Sequence, residues 1–220
     1  MAEFKTIKGQ TIQNRTSDPL VAGVAGATWT SGNNLNTSRQ GASTTGTQTA
    51  SIVGGGQTTT PVANTETYDG TSWTEVGDIN TARQYGVNIG TTTSAIFGSG
   101  QIPPGQTGVV ESWDGSSWTE IADVPVRDIA AGFGTATAGL IAGGRSSPPA
   151  NQVATVQSWN GSAWSEVVDK NVNVGSSMAG DSPAGAGFVF GGSSPGSPQY
   201  SGSAEQFTSP VTSTVTFTAS

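Results

Sequence analysis

Tryptophan sets the period of this chain. Trp29, Trp73, Trp118 and Trp164 stand 44, 45 and 46 residues apart, and a constant spacing of that size marks a repeated supersecondary unit. Other landmarks keep the same register. Each tryptophan is followed by a Thr- or Ala-rich stretch and then by glycines: Gly54, Gly55 and Gly56; Gly98 and Gly100; Gly143 and Gly144; Gly191 and Gly192. Next comes an acid or amide two residues before an aromatic, at Glu66 and Tyr68, Glu111 and Trp113, Gln157 and Trp159, and Glu205 and Phe207. In three copies the aromatic leads into Asp69-Gly70, Asp114-Gly115 or Asn160-Gly161, and the next tryptophan stands three residues beyond that glycine.

Asp-Gly and Asn-Gly between alternating segments predict hairpins with type I′ turns, whose two central residues both need positive φ. The aromatic segment and the tryptophan segment are therefore expected to be hairpin partners. Upstream, SAIFGSG, GLIAGG and FVFGG read as short, fully buried strands ended by glycine. The stretches before them are small and glycine-rich, as suits strands crowded about an axis. Each unit then has four strands, a, b, c and d. The chain begins with a lone d strand near residues 27–31 and ends with a, b and c strands. Pairing of that first strand with the last c strand would complete four sheets and leave no open edge at the joint.

Composition supports an all-β reading. Only 10% of the 220 residues are charged and 32 are glycine, while Thr, Ser, Val and Gly suit short strands and tight turns. Regularly placed aromatics argue for a packed core against a disordered polar chain. The net charge of −7, with no basic run beyond Lys5, Lys8 and Arg15, leaves phosphate-backbone binding without its electrostatic source. Cysteine and histidine are both absent, which removes disulfides, zinc–thiolate sites and histidine-based triads. No apolar run reaches the length of a membrane span, and residues 1–10 carry charges in place of a signal-peptide core.

Strand, Gly-Gly, loop, Glu-x-aromatic, turn and Trp at this period resemble the kelch motif over residues 27–207. The resemblance implies a kelch-type β-propeller of about four blades of four antiparallel strands, the N-terminal strand closing the last blade. The segments NNLNTSRQGASTTGTQTASIVGGG and YDGTSWTEVGDINTARQYG, with the opening FKTIKGQTIQNRTSDP, are similar to kelch-like virion proteins of marine bacteriophages, including cyanophages. Departures occur. The arginine of NTSR and NTAR, at Arg39 and Arg83, recurs as Arg127 within VPVRD and is missing from the fourth unit, which reads KNVNVGSS; the glycine doublet is GSG in the second unit. The organisation expected is a docking arm over 1–26, a propeller over 27–210, and a C-terminal strand or tail over 211–220 free to pair with a neighbour.

Functional readings follow from position in the repeat. The tryptophans and Tyr68 could stack on sugars, but recurrence at one repeat position favours blade core. Glu66 and Glu111 could form a catalytic pair, yet they too are repeat-locked. Arg39, Arg83 and Arg127 could gather at a rim and bind an anion, or pair with blade acids. No catalytic residue, cofactor site or metal site is assigned. The b–c connections differ in every unit, while the frame around them repeats, and variable loops on a rigid scaffold are a usual place for recognition. The residues singled out there are Thr60, Pro61, Pro103, Pro104, Gln106, Ser147, Pro148, Gln152, Pro195, Gln199 and Tyr200. The expectation is a non-enzymatic virion component in tail, fibre or capsid, present in many copies. It would be held to other virion proteins by its termini and would meet a host-surface glycan or another virion protein through these loops, with no nucleic acid and no membrane span. A carbohydrate-active enzyme and a purely cementing capsid protein are the alternatives.

Overall fold

The computed structural model describes residues 31–146, 151–175, 178–179, 186–193 and 201–208. The strand expected over 27–31 and the tail over 211–220 fall essentially outside them. Residues 1–32 and 33–220 form separate units, and the description concerns the second. Among the described residues there is no helix, and antiparallel sheets follow one another along the chain.

The first sheet contains β1 (Ser43–Thr47), β2 (Ala50–Gly54), β3 (Thr65–Tyr68) and β4 (Trp73–Glu75), paired in chain order. The second repeats this with β5 (Val87–Thr91), β6 (Ser94–Ile102), β7 (Gly105–Trp113) and β8 (Trp118–Ile121). The third has β9 (Ala131–Thr135) and β10 (Ala138–Ala142). A small separate hairpin of β11 (Arg145–Ser146) and β12 (Asn151–Gln152) comes next, and β13 (Val156–Trp159) and β14 (Trp164–Glu166) complete the sheet. The fourth comprises β15 (Met178–Ala179), β16 (Ala186–Phe190) and β17 (Ala204–Thr208). The register matches the repeat: Tyr68 faces Trp73, Trp113 faces Trp118 and Trp159 faces Trp164.

Strand alternation gives each sheet two faces, and apolar residues from facing sheets merge. Ile52 of the first sheet packs with Ala95, Phe97, Trp113 and Trp118 of the second. Val87, Ile89, Ile96 and Val110 on the opposite face of the second sheet pack with Ile141 and Trp159 of the third. Ala131, Phe133, Leu140 and Val156 then pack with Val189 and Phe207 of the fourth. Glycine makes the close approach possible. A Cβ on Gly132 would overlap the Val87 side chain, and one on Gly187 would overlap the Phe133 ring.

The first strands of successive sheets lie side by side, β1 against β5, β5 against β9 and β9 against β15. Ser43 Oγ donates to Gly86 O at 2.5 Å and Thr45 Oγ1 donates to Gly90 O at 2.9 Å. Advance along β1 thus matches advance along β5, so the two strands run parallel and their sheets share an orientation. The b–c connections of these sheets accordingly leave from corresponding ends.

Two expectations are corrected. The c–d hairpins form, but with a four-residue loop in place of the two-residue type I′ turn. Asp69 N donates to Ser72 O at 3.3 Å, and Gly70 alone of the Asp-Gly pair has positive φ, at 93°. The aspartate instead works as a side-chain cap, Oδ1 accepting from Thr71 N at 2.8 Å and Ser72 N at 2.7 Å, which is the Asx arrangement. The strand within FVFGG is buried on one face only, with Phe188 at 38% and Phe190 at 39% exposure. The corresponding Ile52, Ile96 and Leu140 are covered because another sheet follows theirs.

Candidate recognition face

Connections between second and third strands vary most. In the first sheet the chain from Gln57 to Asn64 folds back on itself. Thr58 N donates to Thr60 O at 3.1 Å, Val62 N to Gly56 O at 2.9 Å, and Gln57 forms a bridge with Pro61. Thr60 is exposed and Pro61 half-buried. In the second sheet β6 and β7 continue as a long hairpin past a register shift at Gly98–Gly100, with Ile102, Pro103 and Pro104 exposed at its tip. In the third, the β11–β12 hairpin takes this place.

Gln106 and Gln152 lie beside the connectors. Gln106 Nε2 donates to Asp128 Oδ2 at 3.5 Å. Asp128 is fully buried and receives Arg145 in a two-point ion pair, from Nε to Oδ1 at 3.1 Å and from Nη2 to Oδ2 at 2.6 Å. That contact holds the Arg145 guanidinium above its ordinary pKa. Gln152 pairs with Arg145 across the small hairpin, and its side chain packs by Gly175. The structure therefore places Thr60, Pro61, Pro103, Pro104, Gln106 and Gln152 on three differently built b–c connections. Ser147, Pro148, Pro195, Gln199 and Tyr200 lie outside the described residues. Sequence reading missed Asp128 and Arg145, whose signal was an acid–base pair at positions held elsewhere by glutamines, Gln40 with Gln57 and Gln84 with Gln101.

The conspicuous glutamates and arginines of the repeat lie inside. Glu66 accepts from Asn36 N at 2.7 Å, Thr37 N at 3.3 Å and Arg39 Nη1 at 2.8 Å. Glu111 accepts from Asn80 N at 2.6 Å, Asn80 Nδ2 at 2.8 Å, Thr81 N at 3.2 Å and Arg83 Nη1 at 2.6 Å. These carboxylates spend their lone pairs on fixing the connector that enters their own sheet. Both arginine–glutamate pairs have side chains without exposure, and Arg83 also lies over Phe97, 4.5 Å from the ring centre. Burial pushes the Arg83 guanidinium down and Glu111 opposes this. The rim-anion alternative is thereby answered for Arg39 and Arg83.

The third and fourth units break the pair in different ways. Arg127 is buried but donates to Gly143 O at 3.1 Å, Thr155 O at 3.2 Å and Thr155 Oγ1 at 3.2 Å, so the expected pairing with a blade acid is replaced by carbonyls and a hydroxyl. Gln157 stands where the glutamate would be, and Pro125, without an N–H, stands where Asn80 does in the second unit. In the fourth unit Glu205 keeps its connector bonds, from Asn171 N at 2.6 Å and Val172 N at 3.1 Å, while Val174 replaces the arginine. Lys170 replaces the aliphatic Ile79 and Val124, and its Nζ is buried without a hydrogen-bond partner among the described residues. Burial pushes its pKa down, with Glu205 opposing. Beside it is a cavity of about 310 Å³, walled by Phe133, Val156, Val168, Lys170, Glu205 and Phe207. The counterparts of Lys170 and Phe207 at the second sheet, Ile79 and Trp113, share a buried cluster with Trp118.

No protein-family model and no curated protein matches this chain.

Proposed function

We propose that the four sheets are successive blades of a kelch-type propeller, the fourth completed by the strand expected over 27–31, from the same chain or from a neighbouring copy. The protein is a non-enzymatic structural component of a phage virion, whose b–c connections contact a host-surface glycan or another virion protein. What supports this reading is the contrast between a frame whose strand order and register repeat and b–c connections that are built differently in the first, second and third sheets. A scaffold of that kind holds variable contact residues at fixed places. The carboxylates with the strongest claim to chemistry, Glu66 and Glu111, are engaged in buried hydrogen bonds, which favours a scaffold over a hydrolase. The resemblance of the NTSR and NTAR segments to phage kelch-like proteins supplies the setting.

Density-gradient separation of a phage lysate, followed by mass spectrometry of the fractions, tests it. The chain is expected in the particle band. Recovery only among free soluble proteins would overturn the virion assignment.

A further inference from the structure

The second and third sheets each present one face to the sheet before and the other to the sheet after. Faces directed backward carry an aromatic pair from the third and fourth strands: Tyr68 with Trp73, Trp113 with Trp118, and Trp159 with Trp164, their ring centres 5.0, 5.3 and 5.1 Å apart. Faces directed forward carry a branched or aromatic residue from the second strand: Ile52, Ile96, Leu140 and Phe188. Wherever a forward face meets a backward face, both are covered. Ile52 and Ile96 are fully buried and Leu140 is 2% exposed; Trp113 and Trp159 are 2% and 5% exposed.

The two terminal faces of this stack are open. On the forward face of the fourth sheet, Phe188 and Phe190 are 38% and 39% exposed, their rings 5.5 Å apart. Ala186, Ala204, Gln206 and Thr208 are exposed on the same face, which carries no charge at these positions. On the backward face of the first sheet, Tyr68, Trp73 and Ser51 are half-exposed and Thr44 is exposed, although Val53 and Glu66 on the same face are buried. Among the described residues, neither open face packs on the other. Their chemistry is nevertheless that of the interfaces already formed, where an apolar second strand meets an aromatic pair at the first two and Phe207 at the third.

We infer that the protein self-associates head to tail, with Phe188 and Phe190 of one copy packing on Tyr68 and Trp73 of a second. The inference rests on reading the sheets as successive blades. It continues between chains the contact that Ile52 makes with Trp113 and Trp118 inside one. Such a contact uses two different patches, so it is heterologous and adds copies in one direction until a ring closes.

Two variants and their mixture provide the test. Phe188→Lys disables the forward face and Tyr68→Lys the backward face; both positions are exposed or half-exposed, and circular dichroism melting checks that each variant folds. By size exclusion with light scattering, the wild-type chain is expected to assemble as its concentration rises. Each variant alone is expected to stay monomeric, and their equimolar mixture to form dimers, because one intact pair of faces remains between them. A wild-type monomer at every concentration overturns the inference, as does assembly that survives both folded variants. Electron microscopy of the isolated chain separates this from failure of the blade reading. A closed ring made by one copy overturns self-association and keeps the blades, whereas particles without radial blades overturn both.

Discussion

Arg83 and Glu111 are both fully buried, and their ion pair also terminates the connector amides of Asn80 and Thr81. Taking away one member leaves the other charged and buried without its partner, which typically costs about 3–5 kcal/mol. Glu111→Ala is therefore expected to lower the unfolding free energy in urea by about that amount. Gln157→Ala, at the same repeat position, leaves no buried charge orphaned, because Arg127 is satisfied by carbonyls and the Glu166 carboxylate that Gln157 Nε2 donates to is exposed, and about 1–2 kcal/mol is expected for the lost hydrogen bond. Equal losses for the two variants would show that the ion pair has no special part. The c–d turn makes a second prediction. The Ser116 hydroxyl, followed by the amides of Ser117 and Ser116, holds the exposed Asp114 carboxyl down to about 2 from an ordinary value of 3.8. Its folded pKa lies below the unfolded one, so the stabilisation is present above about pH 4 and is lost as pH falls through about 2. Carboxyl NMR titration should find that low midpoint at Asp114. Asp114→Asn should keep the turn while removing the pH dependence, since Asn160 caps the equivalent turn with an amide. A midpoint at the ordinary value would refute the capping role.

At the level of strands, the sequence discloses period, strand order and pairing, because each depends on residue types at fixed spacing. Asp-Gly and Asn-Gly announce a reversal of the chain, and alternation around Glu111 and Trp113 places both on one face, as found. Turn type was harder to read, because Asp-Gly fits both a type I′ turn and an Asx-capped four-residue loop. The choice is made by the register that sets Tyr68 opposite Trp73. FVFGG misled for a different reason. Its residues are as apolar as those of SAIFGSG, but burial of both faces requires a following sheet, and that depends on neighbours far along the chain. The candidate face was legible as loop composition alone. The Asp128–Arg145 pair escaped notice because its two members are ordinary loop residues in sequence and meet only when the strand ends bridge. The repeat also explains why Lys170 is meaningful: a lysine in a polar loop is unremarkable, yet its counterparts Ile79 and Val124 are core residues.

Stacked repeats draw stability from each unit and from the interfaces with its neighbours, so end units are the weakest unless capped. The second sheet has neighbours on both faces and holds the Arg83–Glu111 pair, with the long β6–β7 hairpin joining its middle strands. The fourth sheet has Val174 in place of that arginine and an open face at Phe188 and Phe190. It also borders a cavity beside the Lys170 ammonium, which has no hydrogen-bond partner among the described residues. A buried polar group without a partner and a gap in packing both lower the free energy of local opening. Native-state hydrogen exchange of the isolated chain should therefore show β16 and β17 opening first and β6 and β7 last. Protection is expected to differ at least about tenfold, equivalent to about 1.4 kcal/mol. Lys170→Ile, which restores the residue type of the second unit, should narrow this gap by slowing exchange in β17 while leaving β6 unchanged. Uniform protection across β6, β7, β16 and β17 would mean that the sheets open as one cooperative body, and the weakness assigned to the fourth sheet would then have no thermodynamic consequence.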